Sequence, residues 1–186
     1  MKVLVKAGAC YNKKTMQIKT PRLTITTFSL DMAQSVYENS RDDDTRRFVP
    51  DEVYDSVEEA REAIDFLMSR YDSTDGPFVY PIITNDGAQN IGYVQLCKLD
   101  DGTWEIGYHI AKDFTGKRYA TEAVKAFLPA MAQKLNLKEV YGICLAENLA
   151  SVRVLKKCGF TQIYKGPGNY QGKEEQIIKA IWKNYN

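Results

Sequence analysis

Apolar and polar residues alternate along several short segments of this chain, which is the pattern of half-buried β-strands. β-branched and aromatic side chains dominate residues 22–28. NDG and DDG turns separate three further segments, which predicts an antiparallel meander over residues 77–84, 90–99 and 103–111. A fully apolar segment predicts a central strand at 139–146, and two closing strands are predicted at 160–166 and 175–183.

Other segments repeat their apolar residues every three or four positions, the period of a helix packed on one face. This pattern predicts helices over residues 31–39, 55–71, 119–135 and 148–158. Ser56 and Glu59 have the spacing of a capping box, and Gly159 is a C-cap. The order of elements predicts an α+β fold, with a mixed, mostly antiparallel sheet of about seven strands and helices on both faces.

The length of 186 residues suggests one domain, which we place at residues 21–186. Residues 1–20 are expected to be an N-terminal extension, and their alternation allows an extra strand. The apolar start of the chain is short and is interrupted by Lys6, so we expect neither a signal peptide nor a membrane partner.

Charge and cysteine content narrow the function further. A net charge of +1 gives no global reason to expect nucleic acid as a partner. The four cysteines have no C-x-x-C spacing, so we expect no metal. Cys97, Cys144 and Cys158 lie in apolar segments and are expected to be reduced thiols, as in a cytoplasmic protein.

A glycine and two cations stand where the helix at 119 is about to begin, in the stretch TGKRYATEA at residues 115–123. A helix start leaves four N–H groups without partners and carries a partial positive charge. Gly116, Lys117 and Arg118 would therefore suit a pyrophosphate. A solvated turn with surface cations explains the same residues equally well. The loop lacks G-x-G-x-x-G and follows a meander, which excludes a dinucleotide-binding βαβ unit.

Asn148 follows the predicted central strand, and Ser151 comes three residues later. An asparagine there is an ordinary N-cap, and a serine there an ordinary surface hydroxyl. Taken together with the loop, they resemble the GNAT superfamily of acyl-CoA N-acyltransferases, and most closely its RimJ/RimL-like branch of ribosomal-protein N-terminal acetyltransferases. The resemblance covers about residues 20–182. It is carried by TPRLTI, DDTRRFVP with SVEEA, WEIGYHI, GKRYATEA and NLASVRVLKKCGF.

The resemblance implies a GNAT-type sheet and acetyl-CoA as the co-substrate. Its pantetheine arm would lie in a gap between the strands at 104–110 and 139–145. Backbone groups at His109 and Ile110 would bind that arm, and Asn148 would bind it through its amide. The pyrophosphate would be held by the loop and the first helical turn: Thr115, Gly116, Lys117, Arg118, Tyr119, Ala120 and Thr121.

The loop departs from the family pattern at two positions. Members usually carry Gln or Arg where Thr115 stands and Gly where Arg118 stands. We expect Arg118 to require an ordinary backbone angle at a place that favours glycine, and its charge could pair with a cofactor phosphate. These departures leave a degenerate acyl-CoA-binding or regulatory module as the alternative to an enzyme.

For the chemistry, the resemblance implies direct attack of an amine on the thioester. Glu105 is the candidate base, acting through water, and Ser151 the candidate acid. A strand-face Glu paired with a cation explains Glu105 nearly as well, and His109, which has the same strand parity, could be a second base. Members that use a tyrosine acid carry it where Leu155 stands here.

The acceptor is a primary amine, either a protein N-terminus or a small molecule. Asp42, Asp43 and Asp44 could attract it, although a helix-capping role explains them better. The glycine-rich residues 164–176 are expected to be a loop that closes over the acceptor. The family implies a monomer or a homodimer.

Overall fold

The computed structural model describes residues 16–184, and a single sheet of eight strands passes through them. The strands lie in the spatial order β1-β2-β3-β4-β5-β6-β8-β7. The predicted α+β class and the mixed, mostly antiparallel sheet are confirmed, with one strand more than expected. The strands are β1 (Ile18–Lys19), β2 (Leu23–Ile25), β3 (Phe78–Thr84), β4 (Asn90–Lys98), β5 (Trp104–Ile110), β6 (Glu139–Leu145), β7 (Thr161–Tyr170) and β8 (Lys173–Lys183).

Helices cover both faces of the sheet. Successive residues of a strand point to opposite faces, so the apolar residues on each face pack against a separate set of helices. Phe78 and Tyr80 of β3 pack into the larger apolar core, whereas Val79 between them packs into a second, smaller cluster with Ile64. The helices are α1 (Ala33–Asn39), α2 (Asp43–Phe48), α3 (Val57–Arg70), α4 (Tyr119–Leu135) and α5 (Leu149–Lys157). α4 and α5 cover the larger core, and α1 and α3 cover the smaller cluster.

Several boundaries follow the sequence closely. α4 spans the predicted residues, and α5 ends just before Gly159. Ser56 caps α3 by accepting the N–H of Glu59 at 3.1 Å, while the Glu59 carboxylate accepts the N–H of Asp55 and not that of the cap residue itself. No helix of the described residues is long and apolar enough to cross a membrane.

The glycine-rich residues 164–176 are not a loop, contrary to the sequence-based expectation. They form the paired ends of β7 and β8, joined at Gln171 and Gly172. Both turn residues have positive φ, at 51° and 80°, which suits the twist of a tight hairpin. The expected extension falls partly outside the described residues. Residues 1–15 of this extension are not described. Its last residues include β1, which forms one edge of the sheet.

The sheet opens between β5 and β6. These two strands run parallel and pair at one position, Glu105 with Tyr141. β5 is paired with β4 along its whole length, and β6 with β8 along its whole length. Beyond Glu105 the facing edges of β5 and β6 therefore diverge into a gap at the middle of the sheet.

Gly92 on β4 sets the approach of β4 to the far end of β5. Its φ is 139°, and a Cβ at this position would lie 2.1 Å from the carbonyl oxygen of His109. A side chain here would have to displace the backbone of β5, since a carbonyl group cannot rotate away as a flexible side chain can.

We predict that Gly92→Ala lowers the free energy of unfolding by about 2–4 kcal/mol, because it combines a strained φ with a backbone clash. Gly87→Ala is the matched control, since a Cβ there meets nothing closer than 3.5 Å. Urea denaturation of both variants checks this. Equal stability of the two variants would show that β4 and β5 are not held by this contact.

Candidate active site

A cleft of about 720 Å³ lies where β5 and β6 separate. One wall is the β5 strand, another is the start of α4 with its preceding loop, and a third is the start of α5. The end of β7 and the region around α2 close the remaining side. The cleft is lined by eleven of the twelve residues that the sequence proposed as site residues: Glu105, His109, Ile110, Thr115, Gly116, Arg118, Tyr119, Ala120, Thr121, Asn148 and Ser151.

Lys117 is the residue that does not line the cleft. Its ammonium lies 5.2 Å from the centre of the Phe114 ring and donates to the carbonyl of Asp113. Its own carbonyl accepts a hydrogen bond from Arg22. Lys117 therefore shapes the loop and does not place its charge in the cleft.

The loop before α4 presents backbone donors to the cleft. Within residues 16–184, the N–H groups of residues 118–121 have no backbone acceptor. Gly116 has a φ of 74°, and a Cβ at that position would meet nothing within 4 Å. Open space beside unpaired donors at a helix start suits an anion such as a phosphate.

Arg118 does not adopt the ordinary backbone angle that the sequence analysis expected. Its φ is 66° and its ψ is 18°, so it takes the left-handed conformation at the N-cap of α4. The loop thus has the backbone conformation that glycine favours, and this conformation is sterically unfavourable for an arginine. Hydrogen bonds to the neighbouring residues stabilise the loop in this conformation.

Arg22, the residue before β2, holds this loop in place, a role that the sequence pattern did not reveal. Its guanidinium donates to the Glu122 carboxylate at 2.7 Å and to the carbonyl of Lys117 at 3.0 Å. Thr20 also donates to Glu122 at 2.7 Å. Although partial burial opposes ionisation of Glu122, these bonds lower its pKa below the usual value. A charged network therefore fixes the first turn of α4.

Ser151 lies at the start of α5 and faces β5 across the cleft. Its N–H donates to Asn148 Oδ1 at 3.0 Å, so Asn148 is the N-cap of α5 and keeps its amide nitrogen for other partners. The hydroxyl of Tyr108, on β5, lies 2.9 Å from Ser151 Oγ and donates to its carbonyl at 3.1 Å. Burial raises the pKa of Tyr108, which therefore stays protonated. No pattern in the sequence points to Tyr108.

Leu155 stands one turn further along α5 and is buried, at 3% exposure. A Cβ on Gly142 of β6 would lie 2.5 Å from its side chain, so the position packs tightly against the sheet. A general acid from this position is therefore not available, which leaves the hydroxyls of Ser151 and Tyr108 on this side of the cleft.

Glu105 lies where β5 and β6 begin to separate. Burial raises the pKa of its carboxyl to about 7, against the opposing effects of the Ile143 N–H and of Lys179. No cation lies within ion-pair distance of it in the described part of the chain, although the charge of Lys179 acts on it from further away. A carboxyl group that titrates near neutrality can accept a proton at physiological pH.

His109 shares a strand face with Glu105, but its ring is already engaged. Its Nε2 lies 2.7 Å from Thr45 Oγ1, which donates to the Asp42 carboxylate at 2.7 Å. Since the Thr45 proton goes to Asp42, the His109 nitrogen donates to Thr45. Burial lowers the pKa of His109 despite Asp42, so the ring is neutral at pH 7.

The expected capping role of the acidic residues at 42–44 is confirmed for Asp42. Its Oδ1 accepts the N–H groups of Asp44 and Thr45, both at 3.0 Å. Partial burial opposes ionisation of Asp42, but its hydrogen bonds and nearby His109 hold its pKa below the usual value. Asp42 therefore orders α2 and orients His109.

Glu52 is a second carboxyl group in the cleft and was missed from the sequence, because it stands in an irregular turn without periodicity. Burial raises its pKa to about 7, opposed by hydrogen bonds from Tyr93 and Gln95. Gln95 reaches it at 3.5 Å. Gly107 on β5 leaves room for Gln95, since a Cβ there would lie 2.6 Å from the Gln95 amide nitrogen.

Comparison with known proteins agrees with this geometry. Residues 22–161 match the model of the acetyltransferase (GNAT) domain. The chain belongs to the GNAT family of acetyltransferases. A Bacillus subtilis relative, the uncharacterized N-acetyltransferase YnaD, is 31% identical over 145 residues, which is 77% of this chain and 82% of the relative.

Two solved structures share the fold of this GNAT protein. A putative ribosomal-protein-serine acetyltransferase from Vibrio cholerae superimposes with a TM-score of 0.75 at 20% identity, covering 91% of this chain and 98% of the other. RimL, a ribosomal L7/L12 α-N-protein acetyltransferase in complex with coenzyme A, gives 0.75 at 14% identity, covering 90% and 98%. The resemblance to the GNAT superfamily is confirmed by the family match, and the fold of these two structures is consistent with its RimJ/RimL-like branch.

We predict that Arg118→Gly raises the free energy of unfolding by about 1 kcal/mol, because glycine takes the left-handed conformation without the steric cost. Arg118→Ala is the control, since it removes the same charge and keeps a Cβ. Urea denaturation compares them. If the alanine variant gained as much as the glycine variant, the gain would come from the lost charge and not from the backbone.

Proposed function

We propose that this GNAT protein transfers an acetyl group from acetyl-CoA to a primary amine, which is a small amine or a protein N-terminus. The observation that carries this proposal is a single cleft that joins three features. These are the divergent edges of β5 and β6, the unpaired donors at the start of α4, and the Glu105 carboxyl at the point of divergence.

The two ends of acetyl-CoA have distinct partners in this scheme. The N–H groups of residues 116–121 and the Arg118 guanidinium would hold the pyrophosphate. At the open edge of β5, the backbone of Ile110 would bind the amide groups of the pantetheine arm, as an added strand would, whereas the backbone of His109 faces Tyr93 of β4. The free amide nitrogen of Asn148 would assist. The complexes with CoA or acetyl-CoA among proteins of the same fold support this co-substrate.

The reaction follows from the groups that face the thioester region. Glu105 accepts, through water, the proton that the acceptor ammonium must lose before its nitrogen can attack. The nitrogen attacks the thioester carbon, and the N–H of Ile110 stabilises the charge that develops on the carbonyl oxygen. As the C–S bond then breaks, the nitrogen loses its second proton to solvent. Ser151 gives its proton to the leaving sulfur and recovers one from solvent. Tyr108 orients the Ser151 hydroxyl.

The alternative, a regulatory module that binds acyl-CoA without catalysis, explains the structure less well. Its support was the two departures at Thr115 and Arg118, and at Arg118 the loop keeps the backbone conformation that glycine favours. It also offers no reason for a carboxyl group with a pKa near 7 at the divergence of the strands.

The test is a thiol-release assay with acetyl-CoA and a panel of amines, combined with variants of the two catalytic candidates. We predict that kcat falls as the pH drops below about 7, because Glu105 must be ionised to accept the proton. Glu105→Gln should abolish this fall of kcat at low pH and should lower kcat about 10²–10⁴-fold. Ser151→Ala should lower kcat but keep its fall at low pH. Calorimetric affinity for acetyl-CoA should be unchanged in both variants.

Glu62→Gln, on the exposed side of α3, is the matched control and should behave as the wild type. Acetyl-CoA binding without thiol release from any amine would contradict the enzyme and favour the regulatory module. An unchanged kcat in Glu105→Gln would contradict the assignment of the base alone.

A further inference from the structure

Two carboxyl groups face the same cleft from different elements. Glu105 belongs to β5, and Glu52 follows α2 in a short 3-10 turn at Pro50–Glu52. Gln95, which contacts Glu52, is paired with Gly107 and is therefore a diagonal neighbour of Glu105 across the two strands. Gln95 and Glu105 therefore lie on the same face of the sheet, and Gln95 contacts Glu52 there, so both carboxyl groups line the same part of the cleft.

The pKa values of two other side chains indicate that both carboxyl groups lie close to the same part of the cleft. The negative charges of Glu52 and Glu105 each raise the pKa of Cys97, after the larger effect of burial. They act in the same way on Tyr170, which lies on the opposite side of the cleft. Tyr170 is held there by its hydrogen bond to the carbonyl of Phe48 at 2.9 Å.

The negative charge of Glu52 is not balanced by a cation of the described residues. No salt bridge includes Glu52, and the charged group that acts on it is Asp51, which is also negative. Tyr93 and Gln95 donate to it, but a carboxylate offers about four acceptor positions, so acceptor capacity remains. A group with positive charge and several donors would complete this site.

We propose that the acceptor is a short diamine, whose reacting nitrogen lies beside Glu105 and whose second, charged nitrogen is held by Glu52. This inference rests on the proposed acetyltransferase function and names the substrate class for the same cleft. The second nitrogen keeps its proton and does not react. Its role is to fix the register of the chain, so that the first nitrogen reaches the thioester.

A diamine fits these observations better than a protein N-terminus does. An N-terminal amine carries one ammonium group, and the carboxyl group beside the reacting centre is enough to receive it. A second carboxyl group enclosed in the cleft would then face the neutral peptide backbone. The buried carboxyl group would then favour its neutral form, as its raised pKa indicates, whereas a neighbouring ammonium ion stabilises the ionised form.

The experiment compares two acceptors of equal chain length, α,ω-diaminobutane and aminobutanol, in which a hydroxyl replaces the second nitrogen. Thiol release from acetyl-CoA gives kcat/KM for each. We expect the wild type to prefer the diamine about tenfold or more, since a charge-assisted hydrogen bond is lost with the alcohol. In Glu52→Gln the preference should disappear, because the KM for the diamine should rise by more than the KM for the alcohol. Glu62→Gln is again the control.

Glu105→Gln separates this role from catalysis, since it should lower kcat for both acceptors and keep the preference. A wild type without preference, or a preference that persists in Glu52→Gln, would overturn the diamine proposal. Thiol release with aminobutanol would then still support the acetyltransferase. No thiol release with any amine would overturn both proposals. Thermal unfolding of Glu52→Gln confirms that the variant folds.

Discussion

The parting of β5 from β6 is the constraint on which the rest of this structure depends. A sheet gains stability by pairing its strands, yet these two central strands pair at Glu105 and Tyr141 alone. β4 and β8 hold them apart from outside, and Gly92 lets β4 lie close against the end of β5. The open edges leave backbone groups available in the interior, where a ligand with amide groups can replace the missing strand.

The same opening determines the chemistry of the cleft. Glu105 stands where the strands separate, so its carboxyl group is desolvated without a strong cation partner, and its pKa rises to about 7. Glu52 is desolvated in a similar way. Both groups cost stability as the pH rises through their pKa values, because the folded protein disfavours their ionised forms. The left-handed backbone of Arg118 adds a further cost, and the Arg22–Glu122 network helps to offset it.

Most helices and strands could be predicted from the sequence, because apolar periodicity and capping are local patterns. Much of the site followed from them, since its residues lie at the ends of these elements. The loop before α4 and the pair Asn148 and Ser151 could be found in this way. Glu52, Tyr93 and Tyr108 could not, since they come together only through strand register and the fold of an irregular turn. The hairpin at residues 164–176 was misread because its glycines resemble those of a loop, although positive φ at Gln171 and Gly172 serves a tight turn.

Amide hydrogen exchange, with and without saturating acetyl-CoA, tests most directly whether the gap between β5 and β6 is the binding site. We predict slower exchange over residues 106–110 and 116–121 in the complex, because the open edge of β5 and the start of α4 gain acceptors. Exchange in α1, which does not line the cleft, should stay the same. Binding of acetyl-CoA that left both segments unprotected would contradict the account.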